Sequence, residues 1–180
     1  MGLLQGTSCT VIGAMQHSAD GRSVRKNMTD QLGKRGIIVY DHYKKPFVEA
    51  VEEHEDRREY MNSLLEKEDY DAITGLKNIR TFDLKLIDIS DFIVFVFDPK
   101  VLTCGSWEEV FWANRLKKPI FFINVAGKKT TPFWVFWTIP HKYIYSSVED
   151  FYKVIDDLDS GKHPMDNERW KLLKMEFRRI

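Results

Sequence analysis

The sequence predicts an α/β fold, in which helices cover both faces of a single doubly wound parallel sheet. Two observations predict it. Short apolar segments rich in β-branched and aromatic residues alternate along the chain with longer segments of helical periodicity. One of the short segments, DFIVFVFD at 91–98, is apolar on both faces, as the interior of a parallel sheet requires. Right-handed crossovers between such strands then give a flavodoxin-like or Rossmann-like order.

The first half of the chain is predicted to hold two strands and three helices. The first strand covers 7–15, contains Gly13 and leads into a polar loop, and the second covers 36–43. Helices are predicted at 23–34, at 47–67, where charged residues leave only a narrow apolar stripe, and at 76–88. We interpret the charged helix as a solvated surface element rather than a binding site.

The second half continues the same alternation after the apolar strand at 91–98. The predicted elements are a helix at 106–117, strands at 119–125 and 142–145, a helix at 148–158, and a basic amphipathic helix at 167–179. We find no internal repeat, linker or low-complexity segment. The sequence therefore predicts one domain over 1–180 that ends in a C-terminal helix.

The composition is that of an ordinary soluble globular protein. The 180 residues include 27 basic and 27 acidic side chains, so net charge gives no reason to expect nucleic acid or an anionic membrane as a partner. Two cysteines cannot form a disulfide framework. No apolar run approaches a membrane span of about 18–20 residues, and the N-terminus lacks the basic region of a signal peptide. We expect a cytoplasmic protein.

The segment around Glu109 is the first candidate for chemistry. Gly105 is expected to allow a close backbone approach or an unusual turn, and Ser106 is a natural N-cap for the helix that follows. A helix start attracts anionic or hydroxyl-rich ligands, and a carboxylate there could take part in cleaving a glycosidic bond. Ser106 and Glu109 also form the spacing of a capping box, which is a purely structural alternative.

Two aspartates and two arginines are the other candidates from the residues themselves. Asp83 falls in the middle of a predicted helix, where aspartate is a poor helix former, so its side chain is either exposed or directed at something. Asp91 directly precedes a strand and could be a turn or cap residue. Arg22 and Arg25 follow the first strand and could hold a phosphate, although ordinary surface arginines are the more common case for such a pattern.

Several common sites are excluded by their missing motifs. The glycines do not form GxGxxG, and GxxxxGK[ST] is absent, so dinucleotide and P-loop sites are not predicted. The five histidines show no metal-ligand spacing, and we interpret each as structural or solvated: His17, His42, His54, His141 and His163. We therefore expect neither a metal nor a cofactor.

Taken together, the motifs resemble those of the nucleoside 2-deoxyribosyltransferase superfamily, which includes the deoxynucleoside 5′-monophosphate N-glycosidases. The family pattern is a strand ending in a small glycine loop, then D-L-x-x-[LI]-x-x-[SA]-D before an apolar strand, then G-[TSV]-x-x-E-[LIV]-x-x-A and K-P. The corresponding residues here are VIGAM, Asp83 to Asp91, Gly105 to Ala113, and Lys118-Pro119. The resemblance covers about residues 7–125, and its GAM…DG…R opening is similar to phage-type members.

The resemblance implies a role for each matching residue. Glu109 would be the nucleophile that attacks the anomeric carbon, and Asp83 would contact the nucleobase or assist proton transfer to it. Arg22 and Arg25 would favour a phosphorylated substrate. The remaining residues implied to line the substrate pocket are Gly13, Ala14, Met15, Asp91, Gly105 and Ser106.

The sequence departs from the family pattern at two positions, and both bear on the substrate. Thr10 stands where family members often carry tyrosine, and Thr103 stands where transferases commonly carry aspartate. Family members are usually dimers or larger, so the resemblance also implies a homo-oligomer. The aromatic segment TTPFWVFWTIPHKYIY at 130–145 is either a subunit interface or a loop packed on its own domain.

These inferences predict an enzyme that cleaves the N-glycosidic bond of a nucleoside or nucleoside 5′-monophosphate, by hydrolysis or by transfer. Two alternatives stay open. One is a non-catalytic nucleotide-binding or sensor module on the same fold, because fold alone does not establish activity. The other is glycohydrolase action on a dinucleotide such as NAD.

Overall fold

The computed structural model describes residues 2–13, 21–47 and 55–162, with backbone only at 21–22 and 55–58. A five-stranded, all-parallel sheet forms its centre, in the order β2-β1-β3-β4-β5. The strands are β1 (Ser8–Gly13), β2 (Ile38–Tyr40), β3 (Phe92–Phe97), β4 (Ile120–Asn124) and β5 (Ile144–Tyr145). This order confirms the predicted α/β doubly wound class.

The helices lie between the strands, largely where the sequence predicts them. They are α1 (Gly21–Gly33), α2 (Glu55–Glu66), α3 (Tyr70–Gly75), α4 (Asn78–Ile89), α5 (Cys104–Arg115), α6 (Phe133–Thr138) and α7 (Val148–Asp159). Short 3₁₀ turns occur at Lys128–Thr130 and His141–Tyr143. Two of these helices, α3 and α6, were not predicted from the sequence. The helix predicted at 167–179 lies outside the described residues.

Helices cover both faces of the sheet, as neighbouring side chains of β4 show. The Phe121 ring packs against Phe151 of α7 with centroids 5.6 Å apart, whereas the Phe122 ring packs against Trp107 of α5 at 6.1 Å. Consecutive side chains of a strand point to opposite faces, so α5 and α7 lie on opposite sides of the sheet. Burial on both sides explains the uninterrupted apolar character of the central strands.

The two helices that carry the candidate carboxylates are held together at the amino edge of the sheet. The Lys118 ammonium donates to the carbonyl oxygens of Asp88 at 2.7 Å and Ser90 at 2.5 Å, at the C-terminal end of α4. The Trp112 indole N–H of α5 donates to the Asp88 carboxylate at 2.7 Å. Burial lowers the pKa of Lys118, and its two carbonyl partners compensate for part of the lost hydration.

Thr10, at the position where family members often have tyrosine, has a structural role in β1. Its side chain is fully buried and its hydroxyl lies 2.7 Å from the hydroxyl of Ser90, which in turn donates to the carbonyl oxygen of Leu86 at 2.8 Å. These bonds connect β1 to the C-terminal end of α4. The Thr10 hydroxyl is therefore used within the protein core.

The aromatic segment at 130–145 contains α6, which packs on its own domain with one face only. The Trp134 ring lies 4.7 Å from that of Trp107 and 5.4 Å from that of Phe111. On the other face, Phe133 is 84% exposed and Trp137 is 81% exposed. The packing interpretation is thus correct for one face, and the interface interpretation stays a prediction for the other.

Within the described ranges, none of the helices combines the length and the apolar character needed to cross a membrane.

Candidate functional site

The candidate site lies at the carboxyl edge of the sheet, between β1 and β3. The chain leaves β1 toward β2 on one side and returns to β3 on the other side, which makes this edge a topological switch point. Gly13 ends β1 there with a φ of 153°, and a methyl group at this position would lie 2.3 Å from the carbonyl oxygen of Val96. Only glycine fits this approach of two neighbouring strands.

The capping-box interpretation of Ser106 and Glu109 is wrong, because α5 begins two residues earlier than the sequence predicts. Its N-cap is Thr103 and its first residue is Cys104. Ser106 therefore lies inside the first turn, where its hydroxyl donates to the Gly13 carbonyl oxygen at 3.4 Å. This contact joins α5 to the end of β1, and Glu109 is directed into the site instead of back to the helix terminus.

Gly105 likewise differs from the expectation of an unusual turn. It lies in the first turn of α5, and a methyl group there would be in ordinary contact, 3.5 Å from an Arg80 guanidinium nitrogen. Its backbone matters more than its small size, because its carbonyl oxygen accepts a hydrogen bond from Arg80 Nη2 at 2.6 Å.

Glu109 is 4% exposed, and its carboxylate contacts two basic side chains. Oε1 lies 2.6 Å from Arg80 Nη1 and 3.3 Å from His42 Nε2. Burial by itself would raise the pKa of Glu109, but its interactions with His42 and Arg80 outweigh this effect, and the pKa is lowered from its ordinary value. Glu109 is therefore held as a carboxylate, the form that a nucleophile requires.

Arg80, on the first turn of α4, connects both candidate carboxylates. Its Nη1 lies 2.6 Å from Glu109 and 3.5 Å from Asp83 Oδ2, while its Nε donates to the exposed Glu108 at 2.6 Å. Burial by itself would lower the pKa of Arg80, but Glu109 and Glu108 raise it on balance. The guanidinium thus holds the first turns of α4 and α5 together across the site.

Asp83 is buried at 6% exposure, which decides between the two interpretations of a mid-helix aspartate. Its Oδ1 lies 2.8 Å from the Lys45 ammonium, whose side chain is fully buried. With Lys45 on one oxygen and Arg80 on the other, two cations stabilise the ionised carboxylate. This environment favours Asp83 as a hydrogen-bond acceptor for a ligand over Asp83 as a proton donor.

His42, which we expected to be structural or solvated, is buried between Arg25 and Glu109. Its Nδ1 lies 3.4 Å from Arg25 Nη1, and its Nε2 faces Glu109. Arg25 is also buried and lies 3.8 Å from Asp41. The structure places Arg25 beside the candidate site, where it contacts the protein side chains His42 and Asp41, and its predicted role in holding a phosphate stays a prediction.

Asp91, another predicted site residue, does not join this group. Asp91 lies at the opposite edge of the sheet, where its Oδ2 accepts hydrogen bonds from the Ser8 backbone N–H at 2.7 Å and from the Ser8 hydroxyl at 3.1 Å. It connects β1 to the start of β3 and is a structural residue there. Ala14, Met15 and the side chain of Arg22 lie outside the described residues.

Three site residues were missed or set aside in the sequence analysis: His42, Lys45 and Arg80. His42 and Lys45 belong to DHYKKP, directly after β2, and the carboxyl ends of parallel strands share one edge of the sheet. Arg80 precedes Asp83 by three residues, which puts both on one helix face. These two signals were present in the sequence.

In the part of the chain that the structure describes, no group of three His, Cys, Asp or Glu side chains could hold a metal ion. The carboxylates at the site contact Arg, Lys and His groups.

Comparison with known proteins gives one structural neighbour to report. The sequence matches no family model and no curated protein. Among solved structures, the chain is similar to a CMP N-glycosidase from Clostridium botulinum, with 14% sequence identity, a TM-score of 0.42, and coverage of 83% of this chain and 99% of that chain. The function proposed below therefore rests on the geometry of the site.

Proposed function

We propose that this protein cleaves the N-glycosidic bond of a nucleoside or nucleoside 5′-monophosphate, with Glu109 as the nucleophile. The observation that carries the proposal is the pair of carboxylates bridged by Arg80. Because Glu109 Oε1 and Asp83 Oδ2 contact the same nitrogen, at 2.6 Å and 3.5 Å, the two oxygens are at most about 6 Å apart, so one bound nucleoside can contact both carboxylates.

The proposed reaction begins with attack of the Glu109 carboxylate on C1′ of the sugar. The bond from C1′ to the base nitrogen breaks, its electron pair goes to the base, and the base takes up a proton from water. A water molecule, or an acceptor base in a transferase, then displaces Glu109 from C1′. Asp83 would accept a hydrogen bond from the nucleobase, consistent with the two cations that keep it ionised.

A phosphorylated substrate is supported by the start of α5. Backbone N–H groups at the start of a helix stabilise phosphate, and α5 begins beside the candidate nucleophile. The hydroxyl of its N-cap, Thr103, is buried and has no hydrogen-bond partner among the described residues. Such a hydroxyl could donate to a phosphate oxygen, so we propose a nucleoside 5′-monophosphate as the preferred substrate.

The homo-oligomer implied by the resemblance remains part of the proposal. The exposed aromatic surface of α6, formed by Phe133 and Trp137, supports it, because exposed apolar patches mark association sites. Phe111, which is also exposed, packs against Trp134 of the same helix. A second copy of the chain is the partner we propose for this surface.

The first experiment measures release of free base from a panel of nucleosides and nucleoside 5′-monophosphates by liquid chromatography, with and without an acceptor base. We expect wild-type turnover, and a loss of about 1,000-fold or more in Glu109→Gln, which keeps the shape but removes the nucleophile. The matched control is Glu149→Gln, the same substitution at an exposed position of α7, which should retain wild-type turnover.

One observation favours the alternative of a non-catalytic nucleotide-binding module, namely that Glu109 is buried and already paired with Arg80. In that case wild type would release no base from the panel, and calorimetry would detect nucleotide binding that Glu109→Gln alters only in affinity. NAD is included in the panel, because nicotinamide as the product would identify the glycohydrolase alternative.

A further inference from the structure

The two oxygens of the Glu109 carboxylate are in different environments. Both hydrogen bonds that Glu109 accepts from described residues, from Arg80 at 2.6 Å and from His42 at 3.3 Å, go to Oε1. Because both donors bind the same oxygen, they fix the rotation of the carboxylate group about its bond to the rest of the side chain. That arrangement leaves Oε2 as the oxygen that can meet a substrate.

The position of His42 is in turn defined by Arg25. A guanidinium group can only donate hydrogen bonds, so the His42 nitrogen that faces it, Nδ1 at 3.4 Å, must be the acceptor. The ring proton is then on Nε2, where it is donated to Glu109. His42 is 4% exposed, and the fixed tautomer makes it a donor to Oε1 and not an acceptor.

His42 and Arg80 differ in how many groups other than Glu109 they contact. Arg80 also contacts Glu108, Asp83 and the Gly105 carbonyl oxygen, so its removal would disturb the contact between α4 and α5 as a whole. Among the described residues, the Nε2 group of His42 has one acceptor, Glu109. A change at His42 therefore tests the orientation of Glu109 more selectively.

We propose that His42 is a positioning residue for Glu109, with its tautomer set by Arg25; this deepens the proposed function and rests on it. In the reaction, Oε2 of Glu109 forms the bond to C1′, the bond from C1′ to the base nitrogen breaks, and its electron pair leaves with the base. The base takes its proton from water. His42 keeps its Nε2 proton throughout, so it orients the nucleophile without acting as an acid or a base.

The test compares three substitutions at one position. In His42→Gln the amide N–H reaches about as far as Nε2, in His42→Asn the shorter amide cannot reach Glu109, and in His42→Leu no donor remains. For base release, we expect kcat to fall about 100-fold in His42→Asn and His42→Leu, with less than a threefold change in KM. In His42→Gln, kcat should stay close to the wild-type value. Because Asn and Gln differ by one methylene, equal kcat losses in these two would overturn the proposal.

A second measurement does not depend on turnover. The Glu109 carboxyl carbon is labelled with ¹³C and titrated by NMR in wild type and in the same variants. Since the His42 hydrogen bond favours the ionised carboxylate, its loss should raise the pKa of Glu109 in the Leu and Asn variants, and Gln should restore the wild-type value. An unchanged titration in all three variants would overturn the proposed contact.

The two measurements separate failure of this inference from failure of the proposed function. A wild type that releases no base from any substrate would overturn the proposed function and, with it, a catalytic role for His42. An active wild type whose kcat is unaffected by His42→Leu would overturn the positioning role alone. Thermal unfolding of each variant shows which of them are folded, and the Asn and Gln pair keeps the test decisive if the Leu variant unfolds.

Discussion

The buried ion pair between Lys45 and Asp83 makes a specific prediction at the scale of single residues. Lys45→Met should reduce the free energy of unfolding by about 3 kcal/mol, because it removes the cation that lies 2.8 Å from a buried carboxylate. Urea denaturation measures this loss. In Lys45→Met combined with Asp83→Asn the charge is removed together with its partner, so the loss should be clearly smaller than in Lys45→Met alone. A loss below about 1 kcal/mol in the single variant would contradict the prediction.

The pKa of Glu109 predicts how stability depends on pH. Burial alone would raise this pKa, but the interactions of Glu109 with His42 and Arg80 outweigh burial. The pKa in the folded protein is therefore lowered from its ordinary value of 4.5. The unfolded chain therefore binds a proton more readily than the folded one in this range. The stabilisation is fully present above about pH 4.5 and is lost as the pH falls through the folded value.

Glu109→Gln tests this pH dependence directly. We expect its free energy of unfolding, measured in urea between about pH 3 and pH 6, to fall less on acidification than that of wild type. Glu149→Gln is again the control, and parallel curves for wild type and Glu109→Gln would rule out the assignment.

The short helix α6 offers a prediction at the scale of elements, because it contains two tryptophans in opposite environments. Trp134 packs between Trp107 and Phe111, so Trp134→Ala should cost about 2–3 kcal/mol of unfolding free energy. Trp137 is 81% exposed, and Trp137→Ala should change the value by no more than about 0.5 kcal/mol. Thermal and urea unfolding measure both variants. If Trp134→Ala and Trp137→Ala reduced the free energy of unfolding equally, α6 would not pack as described.

The elements that could be predicted from the sequence are those with a pattern of their own. The segment at 91–98 predicts a central strand because both its faces are apolar, and β3 is that strand. By contrast, α6 consists of aromatic and β-branched residues that are equally typical of a strand, so its local sequence does not predict a helix. The start of α5 was misassigned because Ser106 is a better N-cap residue than Thr103, whose hydroxyl makes no capping hydrogen bond.

The candidate site could be predicted only in part, for a different reason. Asp83 and Glu109 stand out because their spacing matches family motifs, and the structure brings both to Arg80. His42 is separated from Glu109 by 67 positions, and their contact depends on the packing of β2 beside β1. A contact of that kind leaves no periodic pattern in the sequence, although the switch-point rule identifies the edge where it occurs.

The exposed aromatic surface makes a prediction at the scale of the whole molecule. We expect a concentration-dependent dimer in analytical ultracentrifugation, and mostly monomer for Phe133→Ser combined with Trp137→Ser, because both side chains are more than four-fifths exposed on one helix face. Tyr70→Ser, at another exposed aromatic residue on α3, is the control and should leave the dimer intact. A wild type that is monomeric at all concentrations would contradict the expectation.

The lengths of the two outermost strands limit how molecules of this protein can meet. β2 has three residues at one edge of the sheet and β5 has two at the other. Edges this short present few free backbone N–H and C=O groups, so a neighbouring chain could pair with them over only two or three residues. At both edges of the described sheet, association through side chains therefore has little competition from the addition of a neighbouring chain's strand.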